Sequence, residues 1–582
     1  MCVTNENQRM MSGKQRSVSH KCQPAARQAV CSSGARAKVR RVVSLGILAC
    51  ILCVLASCLV DPAPNPSMPS GTLRWSLEGI TDLTSLDPAR PADHQSNTVI
   101  NLVFGGLVRI DQNLQVRPDG AESWQISADG KIYTFKIRAG LKFGDGTAVT
   151  AEDFRYSINR ALALETASYS APELLKHITG ATDVAEGRSP TASGVQALDD
   201  RTLEIQLNEP LAYFLSELTY PHTFVAPRAL IEQHGDRWTD HAYGIGPFRV
   251  VEWRHNQRIT LEANPFYWQG NLGIAAIEMP FFSNIEEAYE LYRRGELDII
   301  GNIQAGLSSA LVDEMRDSPD LRTVNALSVR YIGFNNRRAP FDNAYVRRAF
   351  ALAVDKDALA QQVLGGQVKP TNRILPQGMP GSSLPINGET FDPIAARAAL
   401  GFAGYPSGQA LPKMTLTYSN EGENSVVANF LQKSWQDTLR VEVALEGLPL
   451  VEFIRRLDHT YKEPTNGLDM YLSVWGADYP DPQNFLSQQL RTNSPFNNGH
   501  WSNPTFDDLV RQADRMVEQN RYRERLNLYN QAEQIAVAEV GWLPLYNPQS
   551  SILIRPTVQG LVFTPQGIIA PNWTQVRVQD HT

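Results

Sequence analysis

Beyond residue 58 the chain has no cysteine: all six fall at its N-terminal end, Cys58 being the last. If cleavage precedes Cys58, the remaining 525 residues keep that one cysteine at their start, so they can form no internal disulfide and the body beyond it holds no thiol nucleophile. Stability then has to come from a large apolar core, and this length suits two or three domains. Long apolar runs are as scarce. Only the stretch from Val42 to Ser57 approaches the about 17–25 residues needed to span a bilayer. Clusters of positive charge are missing too. From Cys58 onward 45 basic residues face 60 acidic ones, a net charge near −15, which repels phosphate backbones and excludes nucleic acid as a partner. No GxxxxGK[ST] loop is present, so the chain does not hydrolyse ATP. HExxH and GxSxG are absent, and the ten histidines show no metal-ligand spacing, so neither a metal nor a cofactor is expected. No repeat recurs at solenoid periods.

What is present begins with charge and greasiness in sequence. Arg36, Lys38, Arg40 and Arg41 precede the apolar stretch, and Ala56-Ser57 sit just before Cys58. A basic flank, a short apolar core and small residues at the cut describe a secretory signal over residues 1–57, behind a long polar extension. A cysteine at that point fits lipoprotein processing, in which its thiol takes up diacylglycerol; the competing reading is a single-span anchor. Met10 and Met11 are alternative starts. Leu59 to Gly71 carries four prolines and two serines, a semi-extended tether of about 40 Å at ~3.1 Å per residue.

From Thr72 strand and helix signals alternate, which points to an α/β or α+β body. In Lys131 to Arg138 (KIYTFKIR), Tyr133, Phe135 and Ile137 share one face of a strand. Thr150 with Asp153 forms a helix start, followed by Phe154, Ile158 and Ala161 at helical spacing. IEEAYELYRRG, from Ile285, predicts a helix stopped by Gly295, with a strand opening at Leu297. Val346 to Ala353 predicts a helix burying Val346, Ala349, Phe350 and Ala353. Asp355 caps a further helix from Lys356 to Leu364, ended by Gly365-Gly366.

Ala121 to Arg160 reads AESWQISADGKIYTFKIRAGLKFGDGTAVTAEDFRYSINR and resembles the signature region of solute-binding proteins of peptide ABC importers, family 5. Further pieces stand in family order: Ser85-Leu86-Asp87-Pro88, Gly244-Ile245-Gly246-Pro247-Phe248, Gly295-Glu296-Leu297-Asp298, Ala339-Pro340-Phe341 and Val346-Arg347-Arg348-Ala349. Trp475-Gly476-Ala477-Asp478-Tyr479-Pro480 and Trp542-Leu543-Pro544-Leu545-Tyr546 complete the series, so the likeness covers the chain after the tether. It implies a periplasmic-binding-protein type II fold: a two-lobed α/β clamp with two hinge strands and an extra subdomain on lobe one. The implied layout is lobe one at 72–103, 228–328 and 546–582, the extra subdomain at 104–227, and lobe two at 329–545. The hinges would be Ser328 to Asn335 and Gly541 to Tyr546.

A receptor for peptides of many sequences has to recognise backbone amides and a charged terminus. A cleft carboxylate suits an α-ammonium: at 4 Å and an effective dielectric near 20 the attraction is about 4 kcal/mol before desolvation. The resemblance gives that role to Asp478, with Trp475, Gly476 and Ala477 pairing to the ligand backbone as an added strand. Ala92, Asp93 and His94 are expected on the opposite side, with Tyr546 and His500 as further candidates. The implied function is an extracytoplasmic, monomeric, lipid-anchored receptor. It would bind oligopeptides between its lobes at the outer face of the cell membrane and deliver them to an ABC permease. Dipeptides, nickel complexes, opines and oligosaccharides are alternative cargoes. A surface hydrolase using Asp478 and Asp481 as paired carboxylates is the alternative of another class.

Overall fold

The computed structural model describes residues 71–579 except 92, 304, 305, 407, 409 and 410. Cys58, the signal segment and the tether up to Ser70 lie outside the described residues, as does Ala92. Among the described residues no helix is long and apolar enough to cross a membrane.

The chain enters the first lobe through β1 (Thr72–Arg74) and β2 (Leu77–Glu78). Helix α1 (His94–Val103) follows and buries Val99, Ile100 and Val103 against that lobe's core. A hairpin of β3 (Val108–Ile110) and β4 (Val116–Pro118) leads into a four-stranded antiparallel sheet. Its strands β5 (Ala121–Ile126), β6 (Ile132–Ile137), β7 (Val195–Asp199) and β8 (Thr202–Gln206) run in the order β5-β6-β8-β7. The period-two pattern of Lys131 to Arg138 explains this sheet: Tyr133, Phe135 and Ile137 all point into one core. Helix α2 (Ala151–Leu162) covers them with Phe154, Ile158 and Ala161. Its start is held by Asp153, whose carboxylate accepts hydrogen bonds from Thr150 N (2.8 Å) and Thr150 Oγ1 (2.9 Å).

The chain then returns to the first lobe, where β9 (Phe248–Arg254), β10 (Arg258–Ala263) and β11 (Ala276–Phe282) form a sheet in the order β1-β11-β10-β9. Helix α3 (Ile285–Arg293) ends just before Gly295, and β12 (Ile299–Ile300) and β13 (Leu321–Asn325) follow. Crossing to the second lobe, β14 (Ser328–Phe334) is buried from Tyr331 to Phe334. Helix α4 (Ala344–Leu352) turns Val346, Ala349 and Phe350 inward as its spacing predicts. The helix expected from Lys356 to Leu364 is α-helical only to Ala358. Leu359–Val363 is a π turn, and Leu359, Ala360 and Leu364 all reach the core.

The second lobe is completed by β15 (Val368–Pro370), β16 (Met414–Ser419), α5 (Asn424–Leu439) and β17 (Val443–Leu448). Then come α6 (Leu450–Lys462), β18 (Met470–Gly476), α7 (Pro504–Asp514), α8 (Tyr522–Ala538) and β19 (Trp542–Ile554). One eight-stranded sheet joins the halves in the order β12-β19-β14-β18-β16-β17, with β13 and β15 also paired to β19. Thus β19 pairs with β14 and β15 through its first half, and with β12 and β13 through its second. Where β14 crosses β18, Gly333 faces Tyr471, and a Cβ there would sit 2.2 Å from that ring, so only glycine fits. A short hairpin, β20 (Val562–Thr564) and β21 (Gly567–Ile569), closes the first lobe.

Candidate functional site

A cavity of about 600 Å³ lies where α1, the β3–β4 hairpin, the β20–β21 hairpin and the end of β18 converge. That volume is in the usual range for sites that hold small ligands. Gly476, Ala477 and Asp478 form one wall. They leave the sheet at the end of β18, and Ala477 N still donates to Leu327 O at 2.8 Å, so the departing backbone keeps its strand-like path.

The turn that follows is fixed by Asn484, which is fully buried. Asn484 Nδ2 donates to Asp478 Oδ2 at 3.1 Å, and Asn484 Oδ1 accepts from Asp478 N at 3.1 Å. Trp475 Nε1 donates to the Asn484 backbone oxygen at 2.9 Å. Trp475 therefore turns its indole toward Asn484 and Phe496, away from the cavity, and acts by holding the loop. Tyr479 is buried and stacks on Tyr213 with centroids 6.1 Å apart. Asp481 is clamped by Arg525 through two hydrogen bonds of 2.7 and 2.8 Å.

Both Asp481 oxygens are consumed by that guanidinium, and Asp481 does not line the cavity, so it cannot pair with Asp478 across a sugar. Asp478 differs. Among the described residues its carboxylate accepts one hydrogen bond, from Asn484, although a carboxylate has about four acceptor sites. Burial pushes its pKa above the ordinary carboxylate value, against the lowering effect of Asn484. This carboxylate is thus costly to ionise and, among the described residues, keeps acceptor sites unfilled.

Across the cavity Asp93 and His94 contribute to the lining. The Asp93 carboxylate caps α1, accepting from Ser96 N at 2.7 Å and from Ser96 Oγ at 2.8 Å, and His94 is the first helical residue. The segment presents side chains here, because its backbone has already turned into a helix. His94, Asn97, Thr98 and Asn101 line the cavity from one helical face. Burial holds the His94 pKa down at about 4, so the ring is neutral at pH 7. Among the described residues Asn97 Oδ1 is buried without a hydrogen-bond partner. Tyr220 lines the same space, its phenol pushed up to about 12 by burial and by the Asp478 charge.

Two further candidates lie elsewhere. Tyr546 is buried within β19, opposite Arg330 and Pro370, in an apolar cluster with Phe350, Leu543 and Leu545. The ring of His500 stacks on Tyr461 at 5.4 Å, with its Nε2 3.0 Å from Tyr461 O, outside the cavity lining. Sequence reasoning missed Asn484, Asn97 and Tyr220. Asn484 shows only as an Asn six residues past Asp478; Asn97 and Tyr220 meet the site through contacts distant in sequence. Among the described residues no cluster of His, Cys, Asp and Glu could hold a metal ion.

Residues 115–497 match the family described as bacterial extracellular solute-binding proteins, family 5 Middle. The probable deoxycholate-binding periplasmic protein of Escherichia coli (strain K12) is 32% identical over 521 residues, covering 87% of this chain and 94% of that protein. The periplasmic oligopeptide-binding protein of the same organism is 29% identical over 538 residues, covering 90% and 95%. Among solved structures, the unliganded open form of a periplasmic murein tripeptide-binding protein superposes with a TM-score of 0.73 at 26% identity, covering 88% of this chain and 96% of that one.

Proposed function

The chain belongs to family 5 of the bacterial extracellular solute-binding proteins, and from that premise we propose that it receives peptides between its two lobes and hands them to an ABC-type permease for import. The reading rests on Asp478, a cavity carboxylate with a single donor among the described residues. A peptide α-ammonium supplies the missing charge and donors. The exposed backbone of Gly476 offers strand-type hydrogen bonds that ignore side-chain identity. The first lobe then spans 72–103, 228–328 and 546–582, the extra subdomain 104–227 and the second lobe 329–545, hinged at β14 and at the start of β19. Likeness to an unliganded open form supports taking the present arrangement as the open clamp. Ligand that touches both lobes closes it, because only differential affinity shifts a two-state balance. In this reading the protein is a monomer, held at the outer face of the cell membrane by lipid on Cys58.

Calorimetry with free and N-acetylated peptides tests the proposal. Acetylation and Asp478→Ala should each cost about 2–5 kcal/mol, the range for unpairing a desolvated charge. Equal affinity for both peptide forms removes Asp478 from this role. A second reading has its own support. Trp75, Phe104, Phe224, Tyr267 and Trp573 make an aromatic wall, which suits a rigid apolar solute such as the one named for the deoxycholate-binding relative. Binding of deoxycholate without any peptide binding would keep the clamp and change the cargo.

A further inference from the structure

A second cavity, of about 340 Å³, backs onto the turn that carries Asp478. Asp478 and Tyr479 are neighbours in the chain, yet Asp478 lines the first cavity and Tyr479 the second, and the two share no lining residue. Tyr213 and Glu217 contribute from one side, Tyr479 and Asp514 from the other. Glu217 ends a single helical turn, Phe214–Glu217, and Phe214 on the same face is anchored in the apolar core. Glu217 is 2% exposed. Its Oε2 is buried and, among the described residues, has no hydrogen-bond partner, which is costly for a carboxyl oxygen.

The other charged groups of this lining are committed or exposed. Lys176 is bonded to Glu173, Arg515 Nη2 donates to Glu209 at 2.8 Å, and Arg511 pairs with Asp508. Asp514 accepts from Ser487 Oγ at 2.8 Å and from Tyr529 OH at 2.6 Å, while Arg491 is exposed to solvent. Burial holds the His177 pKa down at about 4, so its ring brings no charge at pH 7. Burial pushes the Glu217 pKa well above the ordinary carboxylate value; Lys176 opposes this, and the charges of Asp481, Glu173 and Asp478 reinforce it. Three anions thus act on Glu217 against one cation, and that cation is already tied to Glu173. We infer that this cavity is a second ligand site, for a small primary ammonium whose head is held by Glu217 and whose alkyl stem lies along Leu174, Leu211 and Phe496. An ammonium brings the donors that Oε2 lacks. A metal ion is not matched, since among the described residues no cluster of His, Cys, Asp and Glu could hold one. Binding releases the proton of Glu217 to solvent, and the ammonium, which keeps its own charge, pairs with the carboxylate left behind. The site does not depend on which cargo fills the first cavity.

Butylammonium provides the test by calorimetry, with 1-butanol as the uncharged molecule of the same shape. The background is Asp478→Ala, which removes the competing carboxylate of the first cavity. There butylammonium should bind at least tenfold more tightly than 1-butanol, and its affinity should rise from pH 5 to pH 8 as Glu217 gives up its proton more readily. Its binding enthalpy should vary with the ionisation enthalpy of the buffer, as proton release requires. Adding Glu217→Gln should cost tenfold or more in affinity and abolish the buffer dependence. Asp514, whose pKa burial raises to about 6, titrates in the same range and stays in place in that variant, so the two acids are told apart. Glu217→Asp, which draws the carboxyl back by one methylene, should weaken binding severalfold and serves if the glutamine variant does not fold. Affinity no better than that of 1-butanol, a flat pH profile, or binding unchanged by the substitutions at Glu217 overturns the assignment and leaves the peptide reading intact.

Discussion

At the cavity wall a carboxylate with one donor is poised between two states: protonated and idle, or ionised and short of a partner. Burial already tilts Asp478 toward the first, since its pKa stands above the ordinary carboxylate value. A bound ammonium pulls the other way, because it favours the ionised form. The sign of the pH dependence follows. As pH falls, Asp478 takes up its proton at a higher pH than an exposed aspartate does, and affinity for an amino-terminal ligand declines with it. Titrations from pH 8 to pH 4 should show that decline in the wild-type protein and a flat, weaker response in Asp478→Asn. Asp478 was legible because its motif is short and contiguous. Asn484, which aims it, was not, since an asparagine's value here depends on a turn that sequence spacing does not display. Tyr546 and His500 show the converse. Each stands in a segment that resembles the family, yet strand alternation sends Tyr546 into the core, and the turn at His500 directs its ring to Tyr461.

Elements with strong local pattern came through from sequence: the alternating strand β6, the capped helix α2 and the apolar face of α4 all carry their instructions within a dozen residues. Failures sit where a distant contact decides. Asp93 was expected opposite Asp478 with no role in a helix, and with Ser96 three residues on it caps α1. The loop after Asp478 likewise takes its shape from a helix more than forty positions away. Arg525 of α8 spans Asp481 and also donates to Ala513 O in α7 at 3.1 Å, and its side chain is 3% exposed. Removing one partner of such a pair strands the other in a dry site. Arg525→Leu should cost about 3–5 kcal/mol in urea unfolding, and replacing Asp481 by leucine as well should recover much of it. Equal losses in the single and double variants would mean that the pair does not hold the loop.

For the whole molecule, the two-lobed class was readable, because many short motifs in order constrain topology far more than any one of them. Strand order was not. Nothing local to residues 542–554 says that they lie between β12 and β14, and pairings so distant in sequence leave no periodic trace. Clamp closure is the behaviour that belongs to this scale. Saturating peptide should lower the radius of gyration in X-ray solution scattering, and Asp478→Ala should need far more ligand for the same change. At a ligand concentration of a hundred times Kd, binding should also add about 2.7 kcal/mol to unfolding stability. An unchanged radius alongside tight binding would argue that the lobes are already closed.

The placement of β19 also sets a timetable for synthesis. Among the described residues β13 and β15 pair with no strand other than β19, and β14 lacks its second neighbour without it. That strand is translated well after all three of them, so a nascent chain on the ribosome holds three waiting edges until residues 542–554 are made. Assembly dominated by such late, long-range pairing is slow. A polypeptide bound for another compartment gains by this delay, because it stays threadable for as long as it is still being made.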